Sequence, residues 1–516
     1  VVTDFQVGRV DAGGDADNGF GTSLDGGLTW HWGNLPGLTK AAPTPVSSGV
    51  ICAPSTTALP FDRASDAAVT FGKDPTGLAH GGYFAYAQSL VFDDASCSGN
   101  PSGMAINVSS DGGLTWTNAT ILEADPGGGL NDKNWVVSDN GTGATHHPGR
   151  TYVVWDRVAS VEIAYCDPDS SNSLLPGNGP GCDKLYNWAN FPLQLFQPIN
   201  GGQGIGSFPV VLNNGSVGVL FNSLTAPPCS PNECLQGTLA VGSNEWTLIP
   251  GAGATVFPAP LPAAPAATTV ATYQGGTVMF QRAGTLPQVA HDPVTDDLVA
   301  VWEDNRARTD NAGSPGNQND AVFSVSSNLG ATWSVPARVN QGATGDSVNH
   351  YNTTVAIGAD GIWRVAYRQR VETTGITALT PVIDSYYQES RDQGATWTAP
   401  LKINTSSPVS DPQFGAYSRG GLFQGDYEQI AAGGNDESYF TRDESFQLPG
   451  GPSTCSMNFS DPPKACQNQT TFVAHLLPQS SANIPDTRFI PAIVLIGGAL
   501  GVLALRRRHR RAELET

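Results

Sequence analysis

The sequence predicts an all-β protein, a six-bladed β-propeller of four-stranded antiparallel blades followed by a C-terminal single transmembrane helix. Three observations predict it. An octapeptide of the form Ser-x-Asp-x-Gly-x-Thr-Trp occurs four times. Short runs rich in Val, Thr, Tyr and Trp, such as "RTYVVWDRV" and "LVAVWEDNR", alternate with Gly/Asn/Asp turns, the pattern of many short strands. Finally, the uncharged run "FIPAIVLIGGALGVLAL", Phe489 to Leu505, precedes "RRRHRR".

The octapeptides begin at Ser23, Ser109, Ser326 and Ser390, with Asn328 replacing Asp in the third. A self-similar unit at intervals is the mark of a repeat architecture. The gaps are 86, 217 and 64 residues, so the long gap leaves room for two further units without the octapeptide. Six inner strands are expected to open at Ser65, Lys133, Phe208, Pro287, Tyr351 and Tyr427. Because the first octapeptide has no full strand pair before it, the N-terminal and C-terminal strands are expected to close one blade, removing free edges.

Within each octapeptide the Asp side chain is suited to accept backbone N–H groups of its own turn, Gly permits positive φ, and Trp supplies apolar surface. Asp25, Trp30, Asp111, Trp116, Asn328, Trp333, Asp392 and Trp397 therefore read as structural.

Of the 516 residues, Lys and Arg number 26 against 46 Asp and Glu, a formal net charge of −20 that argues against nucleic acid as a partner. The apolar run is near the short limit for a membrane span, and the basic residues after it mark the cytoplasmic side. The domains expected are a propeller over 1–445, a Cys-containing stalk over 446–488, the span at 489–505 and a basic tail at 506–516. The body would be extracellular at the cell surface, its anchor retained or processed by sorting, and the secretory leader removed or left out ahead of Val1. Eight cysteines fit an exported chain and are expected to form disulfides. Cys166 with Cys182, Cys229 with Cys234 and Cys455 with Cys466 make close pairs, leaving Cys52 with Cys97.

The octapeptides resemble the Asp boxes, or BNR repeats, of the sialidase superfamily. That resemblance implies a glycosidase that clamps an acidic sugar with arginines and uses a Tyr nucleophile activated by a Glu, with an Asp as acid/base. Carried over, it makes Asp66, Tyr427 and Glu428 the catalytic candidates and Arg157, Arg306 and Arg370 the clamp, since a guanidinium donates two hydrogen bonds to a carboxylate. Lys133, His350, Asp132 and Asp426 line the same inner-strand mouths. Two features depart from the family. No Arg-Ile-Pro segment occurs, and adjacent Tyr427 and Glu428 would point to opposite faces of a strand. Glu303, Glu233 or Glu162 would then have to serve.

Long connections between second and third strands are expected on the mouth face: 87–103, 159–184, 223–236, 307–319 and 371–381. The expected activity is an exo-α-sialidase or related glycosidase acting on acidic glycans; the alternatives are a non-catalytic glycan-binding or adhesion propeller and a surface-layer scaffold. No cofactor or metal is required. "DAGGDADNG", Asp11 to Gly19, is the one loop with oxygen donors suited to Ca²⁺, a solvated turn being the alternative.

Overall fold

The computed structural model describes residues 1–8, 15–40, 60–93, 101–125, 131–157, 160–169, 181–184, 187–188, 193–196, 204–223, 235–242, 268–273, 286–305, 318–342, 348–371, 383–404, 410–411, 414–418, 421–423, 425–426, 428–434, 436–447, 450–451 and 468–477. They are almost entirely β. The first sheet holds β1 (Val2–Val7), β2 (Asp17–Thr22) and β3 (His31–Asn34). The second holds β4 (Arg63–Lys73), β5 (Tyr83–Phe92), β6 (Ser102–Ser109) and β7 (Thr120–Asp125). The third holds β8 (Asn131–Ser138), β9 (Thr151–Arg157), β10 (Ser160–Cys166) and β11 (Leu193–Phe196), and the fourth β12 (Gly204–Val211), β13 (Val217–Ser223), β14 (Leu235–Gly242) and β15 (Thr268–Tyr273). The fifth comprises β16 (Gln288–His291), β17 (Leu298–Asp304), β18 (Asp320–Ser326) and β19 (Ala337–Arg338). The sixth comprises β20 (Val348–Ile357), β21 (Trp363–Val371), β22 (Ile383–Ser390) and β23 (Leu401–Lys402). A hairpin, β24 (Ala416–Ser418) and β25 (Gly421–Phe423), precedes the last sheet of β26 (Gln429–Ala432), β27 (Ser438–Ser445) and β28 (Gln469–Leu476).

Every pairing between these strands is antiparallel and joins sequence neighbours. The first strand of each sheet lies against the first strand of the next, from β1 through β4, β8, β12, β16 and β20 to β26. Thr3 Oγ1 of β1 sits 3.2 Å from Thr441 Oγ1 of β27, so the first sheet also meets the last. The central strands are covered on both faces and read as unbroken apolar runs rather than alternating ones. In β9, Thr151 through Asp156 are all buried. Trp155, Trp363, Tyr86 and Tyr152 fill the space between sheets.

One expectation is corrected. Among the eight sheets of the described residues, the N-terminal strands β1–β3 and the last strands β26–β28 lie in separate sheets. The segment after Asp426 takes a third strand of its own, β28, from residues expected to be stalk. That strand pairs with β27 from Ser438↔Leu476 to Ser445↔Gln469 and occupies the edge an N-terminal strand would have taken. The run "QTTFVAHL" alternates in burial along its second half, as a half-covered strand does. Conversely, no inner strand belongs to the first sheet among the described residues. Its β1 starts at the octapeptide end, where Val2 pairs with Thr22, whereas β4 ends there.

The four octapeptides form one repeated turn. Each joins β2 to β3, β6 to β7, β18 to β19 or β22 to β23. In the first, Thr29 N and Thr29 Oγ1 donate to Asp25 at 2.8 and 2.6 Å, Gly27 N donates to Ser23 Oγ, and Trp30 Nε1 donates to Gly27 O at 3.1 Å. Where Asn328 replaces Asp, the polarity reverses: Asn328 Nδ2 donates to Thr332 Oγ1 at 2.9 Å. The fifth position is Gly every time because φ lies between 82° and 93°, and at Gly113 and Gly394 a Cβ would also collide with the preceding sheet, 2.7 Å from Thr22 Oγ1 and from Phe323. The tryptophans are half-buried, and two of them reach back one sheet, Trp116 onto Phe20 at 5.8 Å and Trp397 onto Phe323 at 5.4 Å.

Cys166 and Cys182 are bonded. Their place corrects another expectation. Only two residues separate β9 from β10, so the long segment carrying Cys182 follows the third strand. Cys166 pairs with Thr151 at the octapeptide end, and the disulfide therefore staples the face opposite the inner-strand mouths. The other three expected disulfides, Cys229 with Cys234, Cys455 with Cys466 and Cys52 with Cys97, all fall on residues outside the described ones. The loop residues 11–14 and the whole of 489–505 and 506–516 lie outside them too. No described helix is long and apolar enough to cross a membrane.

Candidate functional site

The mouth of the ring is where the inner strands begin and the second strands end. Three inner strands carry the same irregularity there. In β4, β12 and β20 two residues face one on the partner strand, and the first of the two has positive φ: Asp66 (51°), Gly206 (77°) and Asn352 (49°). Such bulges bend a strand and re-aim its side chains. Each is tied to its neighbour by a polar side chain. Asn134 Nδ2 donates to Asp66 O at 2.7 Å, Lys133 Nζ to Ser207 O at 3.1 Å, and Asn352 Nδ2 to Gly425 O at 3.1 Å.

A second repeated position lies on the second strands, directly after a buried aromatic. Asp156 follows Trp155, Glu303 follows Trp302, and Arg368 follows Tyr367. All three reach toward the next sheet. Asp156 accepts Gly206 N at 2.6 Å and Ser207 N at 3.1 Å. Glu303 accepts the N–H of Thr353, and Arg368 pairs with Glu428. The chemistry differs at each: a carboxylate beside a lysine, a carboxyl with no described cation beside it, and a cation with its own carboxylate.

Lys133 is buried, with Nζ 4.2 Å above the Trp135 ring. Burial pushes its ammonium down from the usual lysine value, and the charges of Asp156, Asp66, Asp132 and Asp426 oppose that shift. Burial likewise pushes Asp156 up, against its backbone donors and Lys133. Glu303, 3% exposed, is raised to about 8 by burial, with Asp426 adding to the shift and backbone N–H groups opposing it. The mouth thus gathers carboxyl groups of three sheets or their connections around one lysine, with the Glu303 carboxyl raised toward its neutral form by burial. Nothing among the described residues groups three or more ligands for a metal ion.

The site residues expected from sequence divide accordingly. Asp66, Asp132 and Lys133 lie on β4 and β8 at the mouth, with Asp426 ahead of β26, and the three carboxylate charges oppose the lowering of the Lys133 ammonium by burial. Tyr427 and Arg306 lie outside the described residues. Glu428 is corrected as an activating base: it is 7% exposed, and its carboxylate is taken by Arg368 and by Asp443 N at 3.2 Å. His350 turns its ring between Tyr367 and Asn319 O, in the packing between sheets. Of the clamp, Arg157 is bound to Glu123 at 2.7 Å with Glu162 at 3.6 Å, and Arg370 is wholly buried. Sequence reading set Arg368 beside Arg370 at a second-strand end but gave it no role at the site, and it passed over the bulges at Gly206 and Asn352. The signal for the first lay in the repeated aromatic-then-charged step of the second strands; the two bulges leave no mark in a sequence.

No family model matches this chain, and no curated protein does. Among solved structures it is similar to a Hadza microbial sialidase, with 13% identity and a TM-score of 0.38 over 73% of this chain and 63% of that one. It is also similar to an α-L-arabinofuranosidase of Fusarium graminearum, with 11% identity and a TM-score of 0.38 over 75% and 90% of the two chains. The endosialidase of phage phi92 overlaps with 10% identity and a TM-score of 0.41, over 83% and 72%. This chain spans less than two thirds of the sialidase. Overlaps this partial leave the reading of the site to its own residues.

Proposed function

We propose that this protein acts on glycans at the inner-strand mouth and hydrolyses neutral glycosides, with Glu303 as the proton donor and Asp66 or Asp426 as the carboxylate partner. The observation that carries the reading is the buried Glu303 carboxyl at the mouth end of β17, held toward its neutral form by burial and by the charge of Asp426. Glycoside cleavage needs one carboxylic acid to protonate the leaving oxygen and one carboxylate to act as base or nucleophile. The sign of the site favours a neutral sugar. Four acidic side chains surround Lys133, and the described clamp arginines are bound to carboxylates or buried, which opposes an acidic ligand. This reading descends from the Asp-box resemblance but departs from the exo-α-sialidase it implies.

A non-catalytic glycan-binding propeller is the second reading, favoured by the near-complete burial of Glu303. We place the body outside the cell, anchored by residues 489–505. A panel of neutral aryl glycosides beside an aryl sialoside tests the function. Hydrolysis of a neutral member that is lost in Glu303→Gln supports the enzyme; binding without hydrolysis supports the lectin-like reading, and hydrolysis of the sialoside alone restores the sialidase.

A further inference from the structure

The strand registers set two ends for the ring. In the second sheet Lys73 pairs with Tyr83 and Ala85 with Ser109, so the β4–β5 turn and the octapeptide share one end. The same holds for His291, Leu298 and Ser326 in the fifth sheet, and for Ala432, Ser438 and Leu476 in the last. The mouth is the other end.

Among the described residues, exposed apolar surface gathers at one of these ends. All eight large hydrophobic side chains exposed among the described residues lie at or beside the octapeptide end. Leu24 (69%) and Leu28 belong to the first octapeptide, Leu78 to the β4–β5 turn, Val294 to the β16–β17 turn, and Val335 (87%) follows the third octapeptide. Some are grouped. Leu24 reaches to 3.6 Å from where a Cβ on Gly112 would stand, and the turn bearing Leu78 is tied to the same octapeptide by His80 N donating to Ser110 O at 2.7 Å. Single exposed apolar residues are ordinary, but several grouped on adjoining turns of one end mark an interaction surface.

The chain itself indicates the occupant. β28 delivers it to this end at Leu477, which is 40% exposed. Residues 478–488 then precede the apolar run, a tether of at most about 36 Å. As a helix the run would measure about 26 Å. We infer that the octapeptide end of the ring is the face that docks on a lipid bilayer, with Leu24, Leu28, Leu78 and Val335 against the lipid and the mouth facing away. This rests on residues 489–505 being an anchor. The carboxylates of Asp25, Asp111 and Asp392 stand at the same end, so the bilayer it suits is zwitterionic rather than anionic.

Hydrogen exchange of the full chain in phosphatidylcholine nanodiscs, compared with the same chain in amphipol, tests this. The expected result is exchange slowed by about two-fold or more in 24–32, 76–83 and 333–336 in the nanodiscs, with no change at 131–134. A full-chain variant carrying Leu24→Ser, Leu28→Ser, Leu78→Ser and Val335→Ser, whose sites are exposed, should lose that protection and keep its melting temperature. Insertion without such protection, or protection at the mouth instead, overturns the docking face alone. Failure to enter nanodiscs overturns both it and the anchor. Protection that also arises in amphipol with rising protein concentration assigns the surface to a second copy of the chain and overturns the lipid.

Discussion

Arg368 of β21 and Glu428, just ahead of β26, form an ion pair between adjacent sheets, with side chains only 1% and 4% exposed. Asp443 N also donates to Glu428, and Arg368 donates to Asp443 O at 2.6 Å. Removing one member of such a pair strands the other without water. Arg368→Met should therefore cost about 3–5 kcal/mol of stability, measured by denaturant unfolding. The double variant Arg368→Met, Glu428→Leu should recover most of it, because no buried charge is left unpaired. A neutral single substitution would show that the pair does not join the sheets.

Glu303 gives a pH signature. Its folded value is raised from the ordinary 4.5 to about 8, so the folded state holds a proton that the unfolded chain releases. The stability it contributes is complete below 4.5 and declines as pH rises to about 8. Glu303→Gln should flatten the stability profile across that window, as followed by melting temperature. If the enzyme reading holds, the same variant should lower kcat by about 100-fold or more. In the wild type kcat/KM should fall as pH rises through about 8.

Trp116 is half-buried against Phe20 and donates Nε1 to Gly113 O. Trp116→Ala should destabilise the protein by about 2–3 kcal/mol, less than a fully buried aromatic would cost. Glycan affinity should not change, since the residue stands at the end opposite the mouth. Equal stability with lost binding would show that the turn is functional.

Asn328→Asp should raise the melting temperature at neutral pH, because it restores the Thr-to-carboxylate bond of the other three octapeptides. Asp25 shows the sign: its hydrogen bonds to Thr29 hold it down at about 2. A group depressed in the folded state stabilises above its unfolded value of 3.8 and loses that contribution as pH falls toward 2. The gain of the variant over wild type should vanish across that window. A gain unchanged in acid would point to another cause.

Cys166 and Cys182 close a loop with a sequence separation of 16. Replacing both by Ser should cost about 3 kcal/mol and leave glycan affinity unchanged. Loss of affinity at constant stability would place the loop at the mouth.

The sequence by itself determined the all-β class, the four octapeptide turns and the six inner strands opening at β4, β8, β12, β16, β20 and β26. These are local properties: strand periodicity and a turn whose hydrogen bonds close within eight residues. Only the tertiary structure decided which strand completes the last sheet, because β28 wins the β27 edge through pairings from Ser438↔Leu476 to Ser445↔Gln469 that no local pattern announces. Likewise for the site, the sequence placed Asp66, Asp132, Lys133 and Asp426 at the mouth but could not say which charges survive there. Arg370, Glu428 and Glu303 read alike as polar ends of strands. Burial among neighbouring sheets enclosed the first, paired the second with Arg368 and raised the third toward its neutral form, because desolvation and a partner's distance are set by residues far away in the chain.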